Sequence, residues 1–196
     1  GQESFRHMDQ VERFGIIGSG IIGAGWAGRA LSVGMDVYAF DPEPGAESRL
    51  RKKLDQIWPV LERTGVFPDA SKDRLVFCES VEAVAAQSDF IQESAPERID
   101  LKVELHAQID AAASPDVVIA SSTSGLLPTD FQAQCKHPER VIVGHPFNPV
   151  YLLPLVEVLG GKKTSLENID RAVMFYKSIG MYPLKVRSEV PGFLSD

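Results

Sequence analysis

An α/β fold, doubly wound about a mostly parallel sheet, is predicted by three features of this sequence. Short apolar, β-rich runs alternate with helical stretches along almost the whole chain. A glycine-rich turn, Gly18-Ser19-Gly20-Ile21-Ile22-Gly23, joins the first such run to the first helix. Polar and charged residues gather just after the apolar runs, where this architecture places its ligands.

Taken in order, Phe14-Gly15-Ile16-Ile17 reads as a buried strand, and Ala24 to Val33 has helical composition with Gly34 to stop it. Val37-Tyr38-Ala39-Phe40 is a second strand, ending in Asp41. Strand, glycines, helix, strand and acid in that order form a Rossmann-type dinucleotide fingerprint. Gly18 permits the tight turn, Gly20 lets the backbone approach a pyrophosphate, and Gly23 lets the helix pack close to the strand. The run Gly18, Ser19, Gly20, Ile21, Ile22, Gly23 thus offers helix N-terminal N–H groups to phosphate. Asp41 can bond both hydroxyls of the adenosine ribose and would repel a 2′-phosphate. Pro42-Glu43 brings no arginine to accept one, so NAD is favoured over NADP. The plain alternative is an ordinary glycine-rich turn between strand and helix.

A turn at Pro42-Glu43-Pro44-Gly45 leads to a helix from Ala46 to Arg63, striped by Leu50, Leu54, Ile57 and Leu61. Strands follow at Leu75–Phe77 and Phe90–Glu93, with a short helix from Val81 to Ala86 between them. Glu97 to Ala113 is helical, with Leu101, Leu105 and Ile109 as its apolar stripe. Val117–Ser121, Val141–Gly144, Leu155–Val158 and Tyr182–Val186 read as further strands, about eight in all. Pro128 to Gln134 and Leu166 to Ile179 read as the remaining helices.

With 196 residues and 44% hydrophobic content, the chain can bury one substantial core. A net charge of −7 weighs against a nucleic-acid or anionic-membrane partner. No apolar stretch approaches the roughly 20 residues that span a bilayer. Cys78 and Cys135 lack metal-ligand spacing and read as reduced thiols of a cytoplasmic protein, with no metal expected. Residues 1–7, ahead of Met8, read as an expression-tag remnant, and residues 8–190 as the dinucleotide-binding domain. Residues 191–196 read as the start of a further, truncated segment.

The fourth strand ends in Glu93-Ser94-Ala95-Pro96-Glu97, the fifth in Ser121-Ser122-Thr123-Ser124-Gly125, and the sixth in His145-Pro146-Phe147-Asn148-Pro149. Glu157 interrupts an apolar strand, and a carboxylate in a buried run is costly unless paired. An imidazole such as His145 would satisfy it and gain basicity in return. That pair makes a general base for a hydroxyl proton, and Ser124 can hold the reacting oxygen. Each residue also has an ordinary reading: a structural histidine, a solvent-facing edge glutamate, a turn serine. Two function classes therefore stand, a dehydrogenase and a non-catalytic NAD-binding module such as a sensor or crystallin-like protein.

On these segments the chain resembles the NAD-binding domain of the 3-hydroxyacyl-CoA dehydrogenase family, from about Phe14 to the last residue. The resemblance is carried by Ser122-Thr123-Ser124, Gly144-His145-Pro146-Phe147-Asn148-Pro149, Leu155-Val156-Glu157 and Pro191-Gly192-Phe193. It implies His145 as catalytic base, Glu157 as its partner, and Ser124 as a contact to substrate oxygen and nicotinamide. It further implies that Glu97, Lys102 and Asn148 contact NAD; taken alone, Lys102 reads as a solvated helix charge. The longer wording from Gln92 to Arg98, Ser121 to Pro128 and Gly144 to Glu157 resembles a branch acting on small free hydroxy acids. Those enzymes oxidise the 3-hydroxyl of L-carnitine to 3-dehydrocarnitine, with an L-gulonate branch beside them and acyl-CoA users further off. No dense lysine cluster between Glu62 and Lys72 awaits a phosphate-rich CoA tail. Where CoA-using members carry asparagine after Pro-Gly-Phe, this chain has Asp196, either a carboxylate that helps attract a trimethylammonium group or a position without a role in this branch. Phe147 and Tyr151 are the candidate aromatic faces for such a cation, with core packing as the plain alternative for each. Family members carry a helical C-terminal domain and form homodimers. The chain alone is therefore expected to bind NAD and turn over substrate poorly.

Overall fold

The computed structural model describes residues 10–186. The tag remnant at 1–7, the Pro191-Gly192-Phe193 segment, the 191–196 boundary and Asp196 lie outside those residues.

Eight strands form one sheet in the order β3-β2-β1-β4-β5-β6-β7-β8. The strands are β1 (Arg13–Ile17), β2 (Asp36–Phe40), β3 (Leu75–Phe77), β4 (Phe90–Glu93), β5 (Val118–Ser121), β6 (Val141–Pro146), β7 (Leu155–Gly160) and β8 (Tyr182–Lys185). The helices are α1 (Ile21–Ser32), α2 (Ala46–Thr64), α3 (Val81–Gln87), α4 (Ile99–Ala112), α5 (Pro128–Gln132) and α6 (Leu166–Ser178). The first six strands run parallel; β7 turns back antiparallel to β6, and β8 pairs parallel with β7. The order reverses between β1 and β4, so the crevice of a doubly wound sheet opens there.

Parallel strands covered on both faces must be apolar at every position rather than at alternate ones. Phe14 and Ile16 pack with Trp26, Leu31, Phe90, Phe175 and Tyr176 on one face, while Ile17, Ile91, Val84 and Ile109 fill the other. The aromatic group is tight: Phe90 stacks on Phe175 at 4.1 Å, and Phe14 meets Phe175 edge-on at 4.8 Å.

Several boundaries differ from those the sequence predicts, and three of them lie at the carboxyl rim of the sheet. Helix α1 starts at Ile21 rather than Ala24, because Gly20 adopts an extended conformation and caps it from within the glycine turn. Helix α4 starts at Ile99, since Arg98 behind Pro96 is extended, which leaves Glu97 in a turn. Strand β6 runs two residues past Gly144 because its antiparallel ladder with β7 continues to Pro146 opposite Val156.

Candidate active site

The segments singled out in the sequence meet at the carboxyl rim of the parallel strands. The glycine turn follows β1, Asp41 follows β2, residues 94–97 follow β4, residues 122–125 follow β5, and His145 lies next to the end of β6.

The glycines differ in what they permit. Gly18 has φ +93°, and a Cβ there would stand 2.6 Å from the Ser94 carbonyl, so conformation and proximity both demand glycine. A Cβ on Gly23 would lie 2.0 Å from the Gly18 oxygen, which sets how closely α1 approaches β1. Above Gly20 nothing stands within 4 Å. Helix α1 has no side-chain cap and no acid in its first turn, so its N–H groups and positive end are left for an anion. Ser19 is buried, Ile21 is exposed, and Ile22 leans on the core. The Asp41 carboxylate accepts N–H bonds from Ser19 at 2.8 Å and Glu43 at 2.9 Å. Each of its oxygens keeps a lone pair for another donor. An open glycine, an uncapped helix start and an anchored carboxylate suit a pyrophosphate followed by a ribose diol.

At the other end of the rim the antiparallel register sets His145 directly opposite Glu157. Directly opposed residues share a face of the sheet, so their side chains meet. His145 Nδ1 lies 3.2 Å from Glu157 Oε1. An ionised carboxylate only accepts, which puts the proton on Nδ1 and leaves the Nε2 lone pair free to act. One expectation is corrected: Glu157 is not sealed in an apolar run. Its side chain is 35% exposed and that of His145 29%, while Val156 and Val158 point to the buried face. Strand β7 therefore alternates, with Val156, Val158 and Gly160 buried and Leu155, Glu157 and Leu159 partly exposed. The Phe147 ring stands 5.7 Å from the imidazole. Ser124 and Asn148 are exposed and Tyr151 is half-buried, on neighbouring turns; among the described residues none hydrogen-bonds the pair.

Glu97 accepts a bond from the Thr123 hydroxyl, tying the turn after β4 to the turn after β5. Lys102 is not a solvated charge. It is 1% exposed, and its Nζ donates to Glu93 Oε2 at 2.6 Å and to the Ala95 carbonyl at 3.2 Å. The geometric reason is that α4 turns this face onto the end of β4.

A buried polar assembly beneath the rim escaped the sequence reading. Gln92 donates to Ser122 Oγ and to the Gly144 carbonyl, both at 3.0 Å, and accepts from the Tyr176 hydroxyl at 2.7 Å. Trp26 Nε1 and Ser94 Oγ also reach Ser122 Oγ. Burial pushes the Tyr176 hydroxyl above its usual pKa and outweighs its bond to Gln92, so it stays a neutral donor. A side chain on Gly144 would collide with the Tyr176 hydroxyl. The available signal was a polar pair, Gln92-Glu93, closing an otherwise apolar strand.

Comparison with known proteins agrees with this fold. The model of the 3-hydroxyacyl-CoA dehydrogenase NAD-binding domain matches residues 13–190. The chain is 58% identical over 189 residues to an L-carnitine dehydrogenase of Pseudomonas putida, covering 96% of this chain and 59% of that protein. It is 49% identical to an L-carnitine dehydrogenase of Bacillus cereus, covering 96% and 58%. Among solved structures, 3-hydroxybutyryl-CoA dehydrogenase from Escherichia coli superposes with a TM-score of 0.84 at 30% identity, covering 95% of this chain and 40% of that one. An NAD+-dependent dismutase, 5-formyl-3-hydroxy-2-methylpyridine 4-carboxylic acid 5-dehydrogenase, gives 0.85 at 33%, covering 95% and 60%. The chain thus spans about three-fifths of the curated relatives it matches.

Proposed function

Since this chain belongs to the 3-hydroxyacyl-CoA dehydrogenase family through its NAD-binding domain, we propose that it serves the NAD-dependent oxidation of a 3-hydroxyl on a small hydroxy acid, L-carnitine above all. The observation that carries the proposal is the His145–Glu157 contact at the end of the nucleotide crevice. Glu157 holds Nδ1–H and fixes the ring; Nε2 takes the hydroxyl proton as the C–H bond at the same carbon breaks. Bound NAD supplies the hydride acceptor. Ser124 steadies the reacting oxygen, Asn148 and Glu97 serve the nucleotide, and Lys102, buried against Glu93 and the Ala95 carbonyl, acts on it only through the turn it holds. In the reverse direction Nε2 returns the proton to the carbonyl oxygen.

The preference for L-carnitine draws on the named activity of the relatives and on the aromatic face of Phe147 beside His145, with Tyr151 a second candidate face on the turn that follows. The homodimer and the cytoplasmic setting belong to this reading through the family resemblance. Among the described residues no helix is long and apolar enough to cross a membrane.

The test is a substrate competition in the protein of the relatives' length, following NADH formation from L-carnitine, L-gulonate and 3-hydroxybutyryl-CoA. We expect kcat/KM for L-carnitine to lead by about tenfold or more, as a site that hydrogen-bonds and charge-matches its substrate discriminates strongly. A lead for the CoA thioester overturns the substrate. Absence of turnover on all three, with NADH still bound, favours the non-catalytic module.

A further inference from the structure

Glu93, the last residue of β4, is fully buried just under the crevice. An interior carboxylate costs several kcal/mol unless its lone pairs are filled. Here all four are. Oε1 accepts from His106 Nε2 at 2.8 Å and Ser121 Oγ at 2.7 Å; Oε2 accepts from Lys102 Nζ at 2.6 Å and the Ala95 N–H at 2.7 Å. His106 Nδ1 has no hydrogen-bond partner among the described residues. The ring rests against Phe131 at 4.5 Å.

The bonds do not stop there. Ser121 Oγ accepts the Thr123 N–H at 3.3 Å, and the Thr123 hydroxyl reaches Glu97. Lys102 also grips the Ala95 carbonyl. The turn 94–97 and the turn 122–125 therefore hang from one carboxylate. Both lie on the side of the switch point away from Asp41. A dinucleotide with its adenosine ribose on Asp41 and its pyrophosphate over Gly20 lays its other half across these turns, toward His145.

We propose that Glu93, clamped by Lys102, His106 and Ser121, is a positioning residue for the nicotinamide half of the nucleotide site. The proposal rests on the NAD-binding reading of the crevice. The turn 94–97 packs against Gly18, but the glycine turn and Asp41 also have anchors of their own, Gly18 N–H to the Phe40 carbonyl and Ser19 N–H to Asp41, so the adenosine half leans on the clamp less than the nicotinamide half does.

That separation makes the test. NADH and ADP are titrated calorimetrically into this chain and into Glu93→Gln, His106→Phe and Ser121→Ala. Glu93→Gln keeps the shape but strands a buried cation, so roughly a tenfold or greater loss of NADH affinity follows from one lost charge-assisted bond. ADP affinity is expected to stay within about twofold, because the contacts of that half lie elsewhere. Ser121→Ala and His106→Phe cut the clamp without leaving a bare charge; they decide the question if Glu93→Gln does not fold, with the same split at smaller size. Equal weakening of NADH and ADP overturns the proposal, since damage to the whole domain moves both. Folded variants with unchanged NADH affinity overturn it as well. Wild-type chain that binds neither nucleotide overturns the underlying reading of the crevice.

Discussion

The His145–Glu157 contact depends on a face, not only on two residue types. In an antiparallel pair the opposed positions lie on one side of the sheet, so 145 and 157 meet only because β6 and β7 pair in this register. A slip of one residue would turn Glu157 into the core and bring Val156 or Val158 outward. The expected consequence of His145→Ala, in the protein of the relatives' length, is a loss of turnover of about 10²- to 10⁴-fold, typical of a lost general base. NADH affinity should hardly change, because Gly18 to Gly23 and Asp41 stand at the far end of the crevice. Stopped-flow turnover beside fluorescence titration of NADH checks both halves; a parallel fall in the two would assign His145 to nucleotide binding instead.

Among the elements, α1 and β1 carry the nucleotide end, and their spacing is set by a glycine. Gly23 lies against the Gly18 backbone so closely that a methyl group would meet the carbonyl oxygen at 2.0 Å. A backbone atom cannot rotate away as a side-chain tip can. Gly23→Ala should therefore destabilise the domain by about 1–3 kcal/mol, the usual cost of forcing extra volume into packed structure. It should also weaken NADH binding, since α1 must shift off the turn. Urea unfolding followed by circular dichroism measures the first effect; a variant as stable as the parent would show that the helix moves freely. The same closeness was readable from the sequence, because the spacing of Gly18, Gly20 and Gly23 has a mechanical meaning. The clamp below was not readable. Lys102 and His106 sit one turn apart on α4, a pattern shared by countless solvated helix faces.

Over the whole molecule, the buried clamp ties stability to pH. Burial alone would raise the Glu93 pKa, but its contacts with His106 and Lys102 win and hold it down from 4.5 to about 2. The native carboxylate stays ionised where the unfolded one has begun to take up a proton. Its contribution is therefore complete above about pH 4.5 and drains away as pH falls toward about 2. Urea midpoints measured across that window should drop with falling pH, and Glu93→Gln should drop less steeply than the parent. Identical slopes in the two proteins would place the acid sensitivity elsewhere.

The order of elements, the dinucleotide turn and the acid that closes β2 were determined by the sequence alone, because each is a local matter of period, glycine conformation and strand-end chemistry. His145 and Glu157 were visible as residue types at the right strand ends. Only the tertiary structure decided that β7 runs back along β6 and leaves the pair partly exposed on one face, and that Lys102 turns inward to a carboxylate already bound by His106 and Ser121. Pairing direction and the burial of charge are long-range outcomes. They follow from which surfaces cover one another once the sheet has formed, and the spacing of two residues along the chain does not fix that.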